Sequence, residues 1–161
     1  MKHALGAALW AAIAIATLAG CHREPHQAVG AIEVARPWVR AMAPHAPAAG
    51  GFMALRNTGD AADRLLSVSS AEAERVEIHE VVMDRGVMRM RPLAGGLALP
   101  AGATVELKPG GYHLMLIGPR RRFAAGEEVA MRLVFARAGT TEVRFAVRPL
   151  DATSADGAAR H

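Results

Sequence analysis

Cysteine is nearly absent from this 161-residue chain, where Cys21 is the only one. With no second thiol there is no internal disulfide, so the fold must stand on its core alone. The same absence removes a zinc–thiolate cluster and any blue-copper centre, which needs a cysteine ligand. No nucleophile paired with a base stands out either, which argues against an enzyme. Aromatic residues make up only 4% of the chain, and Lys2 and Lys108 are the only lysines. Arginine supplies the rest of the positive charge and, apart from Arg120–Arg122, is scattered. A nucleic-acid surface needs clustered basic side chains with aromatic platforms, so a nucleic-acid partner is set aside despite a formal net charge of +4.

What is present begins with an apolar N-terminus. Lys2 gives a positive start, Ala4 to Ala16 is apolar, and Leu18-Ala19-Gly20-Cys21 ends the run. So short a run suits a secretory signal better than a spanning helix. The last four residues resemble the lipobox of bacterial lipoprotein precursors, in which the cysteine becomes lipidated and N-terminal. That predicts a signal peptide over 1–20, lipidation at Cys21, and a protein of the bacterial periplasm held to the membrane by lipid. By the same resemblance, His22 is not the aspartate that retains many such proteins at the inner membrane, which leans towards the outer one. Residues 21–31, broken by Pro25 and Gly30, read as a tether. Residues 151–161 are small and polar and read as a disordered tail. One domain, 32–150, remains between them.

That domain reads as strands. Val129, Met131, Leu133 and Phe135 alternate with other residues, as do Thr141, Val143, Phe145 and Val147, and Ala138-Gly139 divides the two runs. Period-two patterning around a glycine predicts a hairpin. Residues 104–108 alternate before a Pro109-Gly110-Gly111 turn, and 32–40, 51–57, 64–69, 75–82 and 87–92 are further strands. Ala71–Glu77 offers at most one helical turn. Many short strands at this spacing predict an all-β sandwich or barrel.

The chemistry gathers in its middle. Of eight methionines, Met83, Met88, Met90 and Met115 lie close together in sequence, bracketed by His79 and His113. Taken singly, each is an ordinary core filler or surface histidine. Strand alternation argues otherwise for the set. His113 and Met115 share a face, opposite Tyr112, Leu114 and Leu116, which make the better core face. His79 faces away from Val76 and Ile78 in the same manner. Met88 and Met90 also share a face; with Arg89 and Arg91 opposite, that face reads either as core or as the rim of a site. Thioether sulfur is a soft, neutral ligand that selects copper(I), and imidazole suits copper in either oxidation state. Zinc would want thiolate, carboxylate or more imidazole.

The stretch from His79-Glu80 through Gly86-Val87-Met88-Arg89-Met90-Arg91-Pro92 to Gly110-Gly111-Tyr112-His113-Leu114-Met115 resembles the PCu(A)C family of periplasmic copper chaperones. The similarity runs from Val34-Ala35-Arg36-Pro37-Trp38 through Asn57-Thr58-Gly59-Asp60 to Val147. It implies a cupredoxin-like, Greek-key β-sandwich or barrel. It also implies a copper(I) site made by His79, Met90, His113 and Met115, with Met88 and Met83 as further candidates. Many relatives carry another methionine where this chain has Val81. The implied recipient is the copper-centre subunit of cytochrome c oxidase, reached directly or with a Sco-type protein. Copper buffering or tolerance, or a metal-free β-sandwich interaction domain, are the rival roles. His22, His26 and His45 read as scattered surface histidines, and His161 is the only histidine of the tail.

Overall fold

The computed structural model describes residues 27–154. Eleven strands follow in order: β1 (Gln27–Val29), β2 (Ile32–Arg40), β3 (Ala48–Asn57), β4 (Asp63–Ser69), β5 (Ala73–Asp84), β6 (Val87–Pro92), β7 (Leu97–Leu99), β8 (Thr104–Leu107), β9 (His113–Pro119), β10 (Glu128–Phe135) and β11 (Thr140–Arg148). There is no helix among the described residues.

Seven strands, in the order β2-β11-β10-β4-β5-β9-β3, form a barrel that closes where β3 pairs with β2. Closure removes the exposed edges of an open sheet. Every neighbouring pair of the barrel is antiparallel except β11 and β2, which run parallel. The remaining four strands are additions: β1 on β2, β8 on β3, β6 on β5 and β7 on β4. The all-β, cupredoxin-like expectation is therefore correct.

Alternation explains the core. Val129, Met131 and Leu133 on β10, with Phe145 on β11, are wholly enclosed, as are Leu114 and Leu116 on β9. Each such side chain contributes about 1.5–3 kcal/mol over leaving it in water. Asn57, the one buried amide of the described residues, is fully satisfied. Its Nδ2 donates to the carbonyls of Ala61 and Leu99 at 2.9 and 3.0 Å, and its Oδ1 accepts from Gly59 N–H at 3.0 Å.

Three details differ from the sequence reading. The helical turn considered for Ala71–Glu77 is strand from Ala73 onward, because the barrel wall supplies ladder partners on both sides: Val76 pairs with Val68 and with Leu116. Tertiary pairing of this kind overrides weak local propensity. Gln27–Val29, inside the span assigned to the tether, forms β1, and Gln27 Nε2 donates to Thr141 Oγ1 at 2.8 Å. Ala152, inside the span assigned to the tail, is buried against Trp38 and Phe52.

Candidate metal centre

The site rests on the outer surface of one wall of the barrel. Residues directly opposed across a ladder point to the same face, so register alone assembles it. His79 of β5 stands opposite His113 of β9, and Glu77 opposite Met115. Met115 faces Gly50 of β3 on its other side. Beyond His79 the chain continues into the β5–β6 hairpin, where Val81 faces Met90 and Met83 faces Met88. All of these belong to one face, while Ile78, Leu114 and Leu116 point inward and are buried. The hairpin turns on Arg85 and Gly86, with φ of 49° and 82°. Paired positive φ values are the two-residue turn whose twist matches the strands it joins.

The two imidazoles are close and differently held. Their ring centroids are 5.6 Å apart. His79 Nε2 lies 2.8 Å from Glu77 Oε2, while Glu77 Oε1 accepts from Arg75 Nε at 2.8 Å. His113 Nδ1 lies 2.9 Å from the carbonyl of Gly111, in the turn ahead of β9. A carboxylate or carbonyl on one ring nitrogen fixes the proton there and leaves the other nitrogen with a free lone pair. The remaining nitrogens, His79 Nδ1 and His113 Nε2, are both buried and have no hydrogen-bond partner. Buried polar atoms without partners are rare and call for an explanation. Burial pushes the His113 pKa below its usual range, despite the opposing Gly111 carbonyl, and nearby His79 adds to the depression. Glu77 is held below the carboxylate range by the bond from His79, then by Arg75.

An open, mainly apolar pocket sits over this wall, lined by His113, Met115, Met88, Met90, Val81 and Phe52 among others. Gly50 helps to keep it open, since a Cβ there would come within 3.0 Å of the Phe52 ring. Arg40 reaches its edge, with its guanidinium over Trp38 and Phe52 at 5.9 and 5.6 Å from the ring centroids. No group of three or more His, Cys, Asp or Glu suited to a metal occurs among the described residues. The donor set here is thus imidazole with thioether, which matches soft copper(I) better than zinc.

The matching family model carries the description "Putative lipoprotein LpqE-like" and spans residues 32–147. The chain belongs to the LpqE-like family. It is 31% identical over 124 residues to "Putative lipoprotein Lxx21020" of Leifsonia xyli subsp. xyli, covering 77% of this chain and 74% of that one. Solved structures place the LpqE-like domain with PCuAC domains. The copper-bound PCuAC domain from PmoF2 superposes with a TM-score of 0.65 at 30% identity, covering 76% of this chain and 97% of its own. The CuI form of DR1885 from Deinococcus radiodurans gives 0.56 at 26% identity, with 82% and 84% covered.

The site residues expected of this LpqE-like chain fall into two groups. His79, His113 and Met115 sit on the barrel wall; Met90, Met88 and Met83 sit on the hairpin. The pocket joins Met88 and Met90 to His113 and Met115. Met83, at the hairpin tip, lies outside that lining, and Cys21 lies outside the described residues. One expectation needs correction. Tyr112 is not on the core face: it precedes β9 and is exposed, because the Gly110-Gly111 turn breaks the alternation before His113. Of the two readings open for Met88 and Met90, core is excluded: they are 61% and 63% exposed, because among the described residues β6 pairs with β5 alone and both its faces meet solvent. Sequence reasoning also passed over Glu77 and the Gly111 carbonyl as partners of the imidazoles. The Glu-x-His spacing on one strand face was the visible signal for the first.

Proposed function

We propose that this protein carries copper(I) outside the cytoplasm, as a binding protein and not an enzyme, tethered to the membrane through a lipid on Cys21. In this reading His79 Nδ1, His113 Nε2 and the Met115 sulfur hold the ion against the barrel wall, and Met90 closes over it from the hairpin. The observation that carries the reading is the pair of buried ring nitrogens without partners, one from each histidine, on the face that also bears the methionines. Glu77 and Gly111 keep the protons on the opposite nitrogens, so the lone pairs stand ready for a metal. Four neutral ligands bind without losing a proton at neutral pH and without exposing a thiol to oxidation. They also hold more loosely than thiolates would, which suits cargo that must be released. The names of the PCuAC neighbours, copper-bound in one case and CuI in another, support the choice of metal. The lipoprotein names of the relatives support the anchor.

The recipient in this reading is the copper-centre subunit of cytochrome c oxidase, with or without a Sco-type partner, in the periplasm of a bacterium. The test is competition for copper(I) against a coloured chelator under anaerobic conditions, comparing the protein with a His113→Ala, Met115→Ala double variant. One tight copper(I) per chain is expected, with affinity reduced by more than about 100-fold in the variant, beyond what loss of an outer partner alone would cause. Equal affinity in the two proteins would remove the site assignment. Transfer of the bound ion to an apo oxidase fragment then tests delivery against mere buffering.

A further inference from the structure

The methionines of the described residues divide cleanly. Met42, Met53 and Met131 are buried, and packing accounts for them. Met115 is half-buried on the barrel wall. Met83, Met88 and Met90 are 67%, 61% and 63% exposed, all on one face of one hairpin. Neither apolar cluster includes them. A single exposed apolar residue is unremarkable, but three together need a cause. The reverse face of the same hairpin has one: Glu80 pairs with Arg91 at 2.8 Å and Asp84 with Arg89 at 3.2 Å, both across the strands. Those pairs account for that face, while the other, beyond His79 and Pro92, shows only thioethers and Val81.

Met83 and Met88 are directly opposed, so their Cβ atoms stand about 4.5–5.5 Å apart. Long, unbranched side chains at that separation can bring two sulfurs onto one ion. Met90 is one pleat step nearer the histidines, about 7 Å along the strand, and lines their pocket. The geometry points to a second, weaker copper(I) subsite formed by Met83 and Met88 at the hairpin tip, with Met90 shared between it and the histidine site. This rests on the copper(I) reading above and extends it to a route for the cargo. Copper(I) moves by ligand exchange: thioether bonds from Met88 and then Met83 form as the imidazole bonds break. The ion keeps its single charge, the imidazoles are left neutral, and no electron or proton is transferred. A site of thioethers alone, open to water, is soft enough to select copper(I) and weak enough to release it.

The experiment is a copper(I) titration of the full chain under anaerobic conditions, with copper(I) supplied as its weakly held acetonitrile complex and the methionines labelled with 13C at the methyl carbon. Two equivalents are expected, the second about 10-fold or more weaker for want of imidazole, with the Met83 and Met88 methyl signals moving in that second phase. A Met83→Leu, Met88→Leu variant should keep the first equivalent and lose the second. The inference is overturned if that variant still takes two, if it loses the first, or if the Met83 and Met88 methyls stay put while copper binds. Wild-type protein that takes one equivalent sinks this subsite alone; protein that takes none sinks the copper(I) reading with it.

Discussion

The barrel wall and the β5–β6 hairpin carry the same kinds of donor in opposite settings. On the wall, His113 is 6% exposed, each imidazole has a fixed partner, and the strand behind it contributes Leu114 and Leu116 to the core. On the hairpin, every residue of β6 is exposed and the side-chain links across the ribbon are surface ion pairs. A ligand set built wholly on the wall would be rigid and closed. One built wholly on the hairpin would be loosely organised. Divided between them, the site has a preorganised half that sets the geometry and an open half through which an ion can come and go.

The sharpest way to break this comparison is to remove core support behind each half. Leu114→Ala empties a fully enclosed position between His113 and Met115. It should cost about 2–5 kcal/mol of stability in chemical denaturation, the range for buried leucine. Met88→Ala, on the exposed ribbon, should stay within about 0.5 kcal/mol. Similar losses for both would mean that the hairpin is packed and not open.

The next effect is smaller and concerns orientation. Glu77→Gln leaves an amide where the carboxylate held the His79 proton and Arg75. Copper(I) affinity should fall by about 10–100-fold, as when outer partners of ligating histidines are lost. Asp84→Asn, which breaks the exposed hairpin pair with Arg89, should change affinity by no more than about twofold, since such pairs are worth little. Competition titrations of the two variants side by side decide it; an Asp84→Asn loss matching that of Glu77→Gln would erase the distinction between wall and hairpin.

How much of this was legible in the sequence depends on what each signal encodes. Alternation bounded by Gly and Pro recovers β2 at 32–40 and β6 at 87–92 residue for residue. It also places His113 and Met115 opposite the core side of β9. What alternation cannot say is which strands have neighbours. Met88-Arg89-Met90-Arg91 reads the same on a barrel wall as on a two-stranded ribbon, and only the pairing of β6 with β5 shows the latter. Nor does it tell that a residue facing away from the core can still be buried, as His113 is beneath the pocket that Gly50, Phe52 and the 109–111 turn help to form. Those neighbours come from distant parts of the chain. The three-residue strands β1 and β7 are too short to show a period at all.

The smallest predicted effect separates the two halves by pH, because the hairpin beyond His79 contains no histidine. The His113 pKa in the folded protein lies below that of a free histidine, since protonating it there means charging a buried ring. Above about pH 6.5 the folded and unfolded chains both hold it neutral, and its contribution to stability is complete. As pH falls below that value the unfolded chain binds the proton first, so folding becomes less favourable. The loss is complete once pH has passed through the lowered folded value and both states are charged. The copper-free protein should therefore show a melting temperature that declines as pH falls below about 6.5, and His113→Asn should remove that part of the slope. Met90→Leu, which alters only the hairpin, should leave the slope as it was. An unchanged slope in His113→Asn would mean that the ring is not shielded from water as the buried half of the site requires.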